Sequence, residues 1–125
     1  MSRVLVDTHA LLWWLADDAA LSRTAREAIA DPINELLASA TSVWEIAIKR
    51  ALGKLTAPDD LPDRILEGGF EWLDVSARHA WQVGALPPHH RDPFDRLLIA
   101  QALVEGLPIV TADARFGAYG VDVRW

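Results

Sequence analysis

No cysteine occurs in the 125 residues of the chain. That excludes a disulfide framework and a thiolate metal site, and it suits a reducing compartment. Nor is there an apolar run near the roughly 20 residues that a membrane-spanning helix needs. Asp7 and His9 interrupt the one N-terminal segment that looks like a secretion signal. The N-terminus therefore reads as part of the fold, and the protein as cytoplasmic. Basic excess is missing too. The net charge is −6, so a whole-surface electrostatic grip on nucleic acid is not expected. A local grip is still open, because carboxylates that hold a divalent cation invert the field around them. There is no glycine-rich phosphate loop and no serine nucleophile elbow. None of the four histidines stands four residues from another on a helix. The adjacent pair His89-His90 is poorly placed to reach one ion, which argues against zinc.

What is present points to one soluble domain over residues 1–125. Hydrophobic residues make up 51% and charged residues 24%, enough apolar mass for a real core. RVLV (3–6) is a short β-branched run ending at Asp7, and HALLWWLA (9–16) is a dense apolar helix. Ser22 caps a helix that Asp31-Pro32 stops. ELLAS (35–39) reads as a buried strand. Thr41 or Ser42 then caps a helix with the apolar stripe Trp44, Ala47, Ile48 and Ala51, which Gly53 ends. DRILEGG is a short helix, FEWLDV (70–75) a strand, and SARHAWQVGAL a helix capped by Ser76. After the rigid loop PPHHRDP, a helix runs to Glu105 and closes at Gly106. LPIVT (107–111) is a strand, ARFGAYG a turn and VDVRW an edge strand. Short apolar strands alternating with helices give an α/β fold, a mainly parallel sheet flanked by helices.

In such sheets, ligands bind beyond the carboxyl ends of the strands. Asp7 directly follows the first strand, and Asp113 comes just after the late strand. Asp95 lies in the first turn of the helix feeding that strand, and Glu45 in the first turn of the helix after the second. Helices run antiparallel to their strands, so the four acids are expected at one rim. Carboxylates crowded this way raise each other's pKa unless a cation sits among them. Magnesium or manganese suits all-oxygen donors, and the chemistry that follows is metal-assisted phosphodiester hydrolysis.

Each acid also has a structural explanation. Asp92 before Pro93 is a good N-cap and first-position pair. Asp95 favours the helix dipole. It also heads a stripe with Ile99, Ala102 and Leu103, where it needs a partner, Arg96 or Arg91. Glu45 fits a capping arrangement with Thr41 or Ser42. Asp7 and Asp113 each suit a cap or a turn. The basic cluster Lys49, Arg50 and Lys54 is a candidate path for an RNA backbone, or simply a solvated helix end. Arg91 and Arg96 are further phosphate contacts, and His9 a substrate-positioning group. The six tryptophans include the neighbours Trp13 and Trp14, which cannot share one helix face. With Trp44 they offer a docking point for a partner, or else lie in the core.

Four stretches resemble the PIN-domain ribonucleases, and most closely their VapC-type toxins: VDTHALLWWL, ATSVWEIAIK, RDPFDRLLIAQA and IVTADARF. Together they span nearly the whole chain. The resemblance implies a single PIN-like domain and a magnesium-dependent (or manganese-dependent) endoribonuclease acting on structured RNA such as tRNA. It makes Asp7, Glu45, Asp95 and Asp113 the catalytic, metal-holding acids. Thr111 would orient them, and Thr41 or Ser42 likewise, with Asp92 a cap in an outer role. It also implies a VapB-type antitoxin, homodimers and toxin–antitoxin hetero-oligomers. Two other classes stay open: a phosphoacceptor receiver-like signalling domain, and an RNA-binding domain that does not cut. A receiver needs an acidic pair after the first strand and an aspartate after the middle one, and the sequence has only Asp7 in such a place.

Overall fold

The computed structural model describes residues 2–125. Five strands form one sheet: β1 (Ser2–Val6), β2 (Asn34–Ser39), β3 (Phe70–Leu73), β4 (Ile109–Val110) and β5 (Val123–Arg124). Their order across the sheet is β3-β2-β1-β4-β5, and all four pairings are parallel. The helices are α1 (Thr8–Leu15), α2 (Arg23–Ala30), α3 (Ala40–Ala51), α4 (Leu61–Glu67), α5 (Ala77–Gln82) and α6 (Pro93–Glu105). Short 3-10 turns occupy Val83–Ala85 and Ala114–Tyr119. Among the described residues, no helix is long and apolar enough to cross a membrane.

Side chains alternate across a strand, and the core divides accordingly. Val4, Val6, Leu36, Ala38 and Val110 point to one face, where they meet Ala10, Leu11, Ala25, Ile29, Ile46 and Ile65. Leu5, Leu37 and Ile109 point to the other, where they meet Leu98, Ile99, Ala100, Ala102 and Phe116. Both faces of the central strands are covered, which is why the strands read as continuous apolar runs. The run from Leu98 to Ala102 is buried residue after residue, so the middle of α6 is enclosed. Leu103, expected on its inner stripe, is 37% exposed.

Two local expectations change in α3. Its N-cap is Ser39, whose side chain accepts from the Thr41 N–H at 3.0 Å. Thr41 and Ser42 are buried inside the first turn. β2 passes into α3 without a loop, which moves the helix start back and puts Glu45 in the second turn. The buried face is Thr41, Ser42, Glu45 and Ile46. The expected apolar stripe is the outer one, with Trp44 at 53% and Ile48 at 36% exposure. Helical periodicity finds an apolar stripe but does not say whether a core or a partner covers it.

The C-terminus of α6 follows its sequence signal. Gly106 has φ 65°, and its N–H and that of Leu107 both turn back to the Ala102 carbonyl. A Cβ placed there would meet nothing within 4 Å, so any penalty is purely that of the left-handed backbone. Gly106→Ala should therefore lower the unfolding free energy by about 1 kcal/mol, read from urea denaturation. An unchanged midpoint would contradict this cap.

Candidate active site

Register alone brings the first two side chains together. Val6 pairs with Val110, so the next residues, Asp7 and Thr111, leave adjacent strand ends side by side. Asp7 caps α1, accepting from the Ala10 N–H at 2.9 Å through Oδ1. Its Oδ2 accepts from the Thr111 hydroxyl at 2.5 Å. The same hydroxyl oxygen accepts from the Asp113 N–H at 3.1 Å. Burial pushes the Asp7 pKa up, although both hydrogen bonds oppose that.

Glu45 is 2% exposed. Its Oε2 accepts from Lys49 one turn later, at 2.5 Å. Among the described residues, its Oε1 is a buried oxygen with no hydrogen-bond partner. Such an atom carries a full desolvation cost unless something positive approaches it. Thr41 and Ser42 do not reach the acids by hydrogen bond. Thr41 donates to Gln101 Oε1 at 3.3 Å, and Ser42 Oγ accepts from Thr8 at 2.9 Å. Gln101 also accepts from Ser39 Oγ at 2.5 Å. This buried amide ties the end of β2 to α6.

Asp92 caps α6, accepting from the N–H groups of Phe94 and Asp95 at 2.9 and 3.0 Å. Asp95 stands in the first turn with a half-buried carboxyl. Its pKa is pushed up to about 7, first by burial and then by the charges of Asp92, Glu45, Asp7 and Asp113. Asp113 goes the other way, to about 2. Arg115 is the main cause, donating from Nε at 3.0 Å and from Nη2 at 2.8 Å. The four acids thus come from four separate segments and act on Asp95 together. Asp95 is the one left short of positive charge.

The expected partners of Asp95 are corrected. Arg96 turns away, donating to the backbone carbonyls of Val83, Leu86, Pro87 and His90 at 3.0 to 3.3 Å. That is a structural clasp on the loop before α6. Arg91 is exposed. The group beside Asp95 is His90, with Nε2 3.0 Å from Asp95 Oδ2 and 2.9 Å from Asp113 Oδ2. Of the basic cluster, Lys49 is paired with Glu45 and Arg50 with Asp59, while Lys54 is exposed. His9 is exposed and tilted against Trp13, 5.8 Å away. Sequence reasoning missed His90, Arg115 and Gln101. Arg115 has a local signal, two residues from Asp113. His90 has none, since nothing in the pair His89-His90 says which ring turns inward.

The donor set fits a hard divalent cation. The carboxylates of Asp7, Asp95 and Asp113 and the orphan Oε1 of Glu45 are all oxygen donors of the kind magnesium and manganese take. Donor atoms of His90, Asp95 and Asp113 lie within 4.8 Å of one another.

Comparison with known proteins places this geometry in context. The PIN domain family matches residues 4–121. Ribonuclease VapC22 of Mycobacterium tuberculosis is 32% identical, over 95% of this chain and 93% of its own. Among solved structures, VapBC2 of Rickettsia felis, bound to a promoter DNA fragment, superposes with a TM-score of 0.70 at 14% identity, covering 97% of this chain and 96% of that one. DNA-bound VapBC of Salmonella typhimurium gives 0.70 at 19% identity, covering 98% and 97%.

Two outcomes follow from the site. With metal chelated, folded Asp95 holds its proton up to about pH 7, whereas the unfolded carboxyl releases it near 3.8. Its contribution to stability is therefore complete below the unfolded value and is lost as pH rises through about 7. Asp95→Asn should remove that loss. It should melt several degrees above the parent at about pH 8 and near the parent at about pH 4. Equal melting temperatures at the higher pH would contradict the crowding of charge at Asp95. Arg96→Met should cost at least about 2 kcal/mol by urea denaturation, because four carbonyls lose a charged donor. A cost below about 0.5 kcal/mol, usual for a surface change, would contradict the clasp.

Proposed function

The chain belongs to the PIN domain family and, within it, to the VapC ribonucleases, and from that premise we propose that it is a divalent-metal-dependent endoribonuclease toxin. The observation that carries the metal dependence is the unpaired, buried Oε1 of Glu45 beside an Asp95 whose pKa is driven up to about 7. Both are the marks of a cluster built around a missing positive charge.

Asp7, Glu45, Asp95 and Asp113 are the residues that would hold the cation. When bound, magnesium or manganese polarises a phosphate oxygen and activates water. Thr111 fixes the rotamer of Asp7 through its hydroxyl. Asp92 fixes the N-terminus of α6 and so the approach of Asp95. Arg115 is exposed beside Asp113, and with Arg91, Lys54 and His9 it offers cationic or hydrogen-bonding contacts along an RNA backbone. These few groups supply a local grip on a chain whose overall charge of −6 repels phosphate elsewhere. A structured RNA such as tRNA is the substrate class in view.

A VapB-type antitoxin is the proposed inhibitor. The similar structures named above are VapBC proteins. Here a groove lined by Leu12, Trp13, Leu15, Ala57 and Leu61 offers an apolar seat for a partner segment. The outer stripe of α3, with Trp44, Ile48 and Leu52 exposed, suits the homodimer or the antitoxin. Against a receiver, the residue after Asp7 is Thr8, whose hydroxyl is committed to Ser42. A second acid is absent there.

Purified chain without a partner should cut RNA in magnesium or manganese and stop on chelation. Asp95→Asn, still folded by circular dichroism, should lose at least about 100-fold in cleavage rate. Undiminished cutting by that variant, or cutting in chelator, would contradict the reading.

A further inference from the structure

His90 lies in the loop before α6 and is 4% exposed. Its backbone is fixed on both sides. Its N–H donates to the Tyr119 hydroxyl at 2.8 Å, and that hydroxyl donates to the Pro87 carbonyl at 2.8 Å. Its carbonyl accepts from Arg96 at 3.3 Å. The ring stands edge-on to Phe116, with centroids 5.9 Å apart. A buried histidine anchored this fully is held in one orientation.

That orientation decides where its proton is. The Asp92 N–H donates to His90 Nδ1 at 3.1 Å. A nitrogen that accepts carries a lone pair, so Nδ1 is bare and the ring proton sits on Nε2. Nε2 in turn faces Asp113 Oδ2 at 2.9 Å and Asp95 Oδ2 at 3.0 Å. Asp92 thus acts twice: its carboxylate caps α6, and its N–H selects the histidine tautomer. A ring nitrogen that holds a proton has no lone pair for a metal. The Nε2–H is instead hydrogen-bonded to Asp113 Oδ2, with Asp95 Oδ2 standing beside the same nitrogen.

We propose that His90 is a positioning residue whose Nε2–H fixes Asp113 Oδ2 beside Asp95 Oδ2 for a divalent cation, without ligating that cation itself. This rests on the reading that the two aspartates hold the metal. The function follows from preorganisation. Carboxylates already gathered and oriented by hydrogen bonds bind a cation with less rearrangement, and such partners affect affinity about as strongly as weak ligands do.

The test uses the full chain in two measurements. In metal-free protein labelled with nitrogen-15 at histidine, nitrogen–proton correlation spectra should show His90 with a protonated Nε2 and a bare Nδ1. A proton on Nδ1 would overturn the proposal. Manganese is then titrated into the parent, His90→Gln and His90→Leu, with free ion counted by electron paramagnetic resonance and folding followed by melting in chelator. Leu should weaken binding about 10- to 100-fold. Gln, whose amide N–H reaches the place of Nε2–H, should recover most of that loss. Leu binding within about twofold of the parent, or imidazole nitrogen coupled to the bound manganese, would overturn the proposal. Should the Leu variant fail to fold, the spectra and the Gln variant decide, and Gln binding as weakly as an unfolded chain would count against it. A parent chain that binds no manganese would contradict the proposed metal dependence, while the tautomer measurement still judges His90 separately.

Discussion

Mutual repulsion among carboxylates gathered at one edge of a parallel sheet is the constraint around which this molecule is arranged. Strand direction makes the gathering unavoidable. β1 and β4 deliver Asp7 and Thr111 side by side, and the antiparallel return of α3 and α6 brings Glu45 and Asp95 to the same rim. Left alone, such a cluster would splay or protonate. Three of the acids instead have a restraint of their own: Thr111 for Asp7, Lys49 for Glu45, and Arg115 with His90 for Asp113.

The restraints are unequal, and the inequality shapes the site. Arg115 brings Asp113 down to about 2, so that acid is fully charged at any physiological pH. Asp95 has no such guanidinium, and burial with the surrounding acids pushes it up to about 7. Glu45 keeps one oxygen paired and one orphaned. The rim is therefore partly compensated, and the unmet charge is concentrated toward Asp95 and Glu45. The second tier of residues exists to hold this arrangement still. Gln101 binds the end of β2 to α6 through Ser39 and Thr41. Arg96 and Tyr119 hold the loop that carries His90.

The sheet and its parallel order were legible because buried strands leave continuous apolar runs, as in RVLV and LPIVT. Gly106, Ser22 and Ser76 marked helix ends through local chemistry that needs no tertiary context. The candidate acids were legible for the same reason: their place follows from strand ends and helix starts. What failed was whatever depended on facing. The stripe of Trp44, Ala47 and Ile48 has helical period yet points outward. Thr41 and Ser42 looked like caps, but β2 runs straight into α3 and Ser39 takes that place. Arg96 looked available to Asp95, and only the folded loop shows four carbonyls waiting for it. His90 is the plainest case, since its role is set by a backbone N–H and by residues more than twenty positions away.

The central claim is that these acids are built to surround a divalent cation. The most direct measurement is anomalous diffraction from crystals of the chain soaked in manganese. The expected result is a manganese peak bound by oxygens of Asp7, Glu45, Asp95 or Asp113, with His90 Nε2 still facing the carboxylates. No peak at the rim under saturating manganese, or a peak elsewhere with the four acids unchanged, would contradict it.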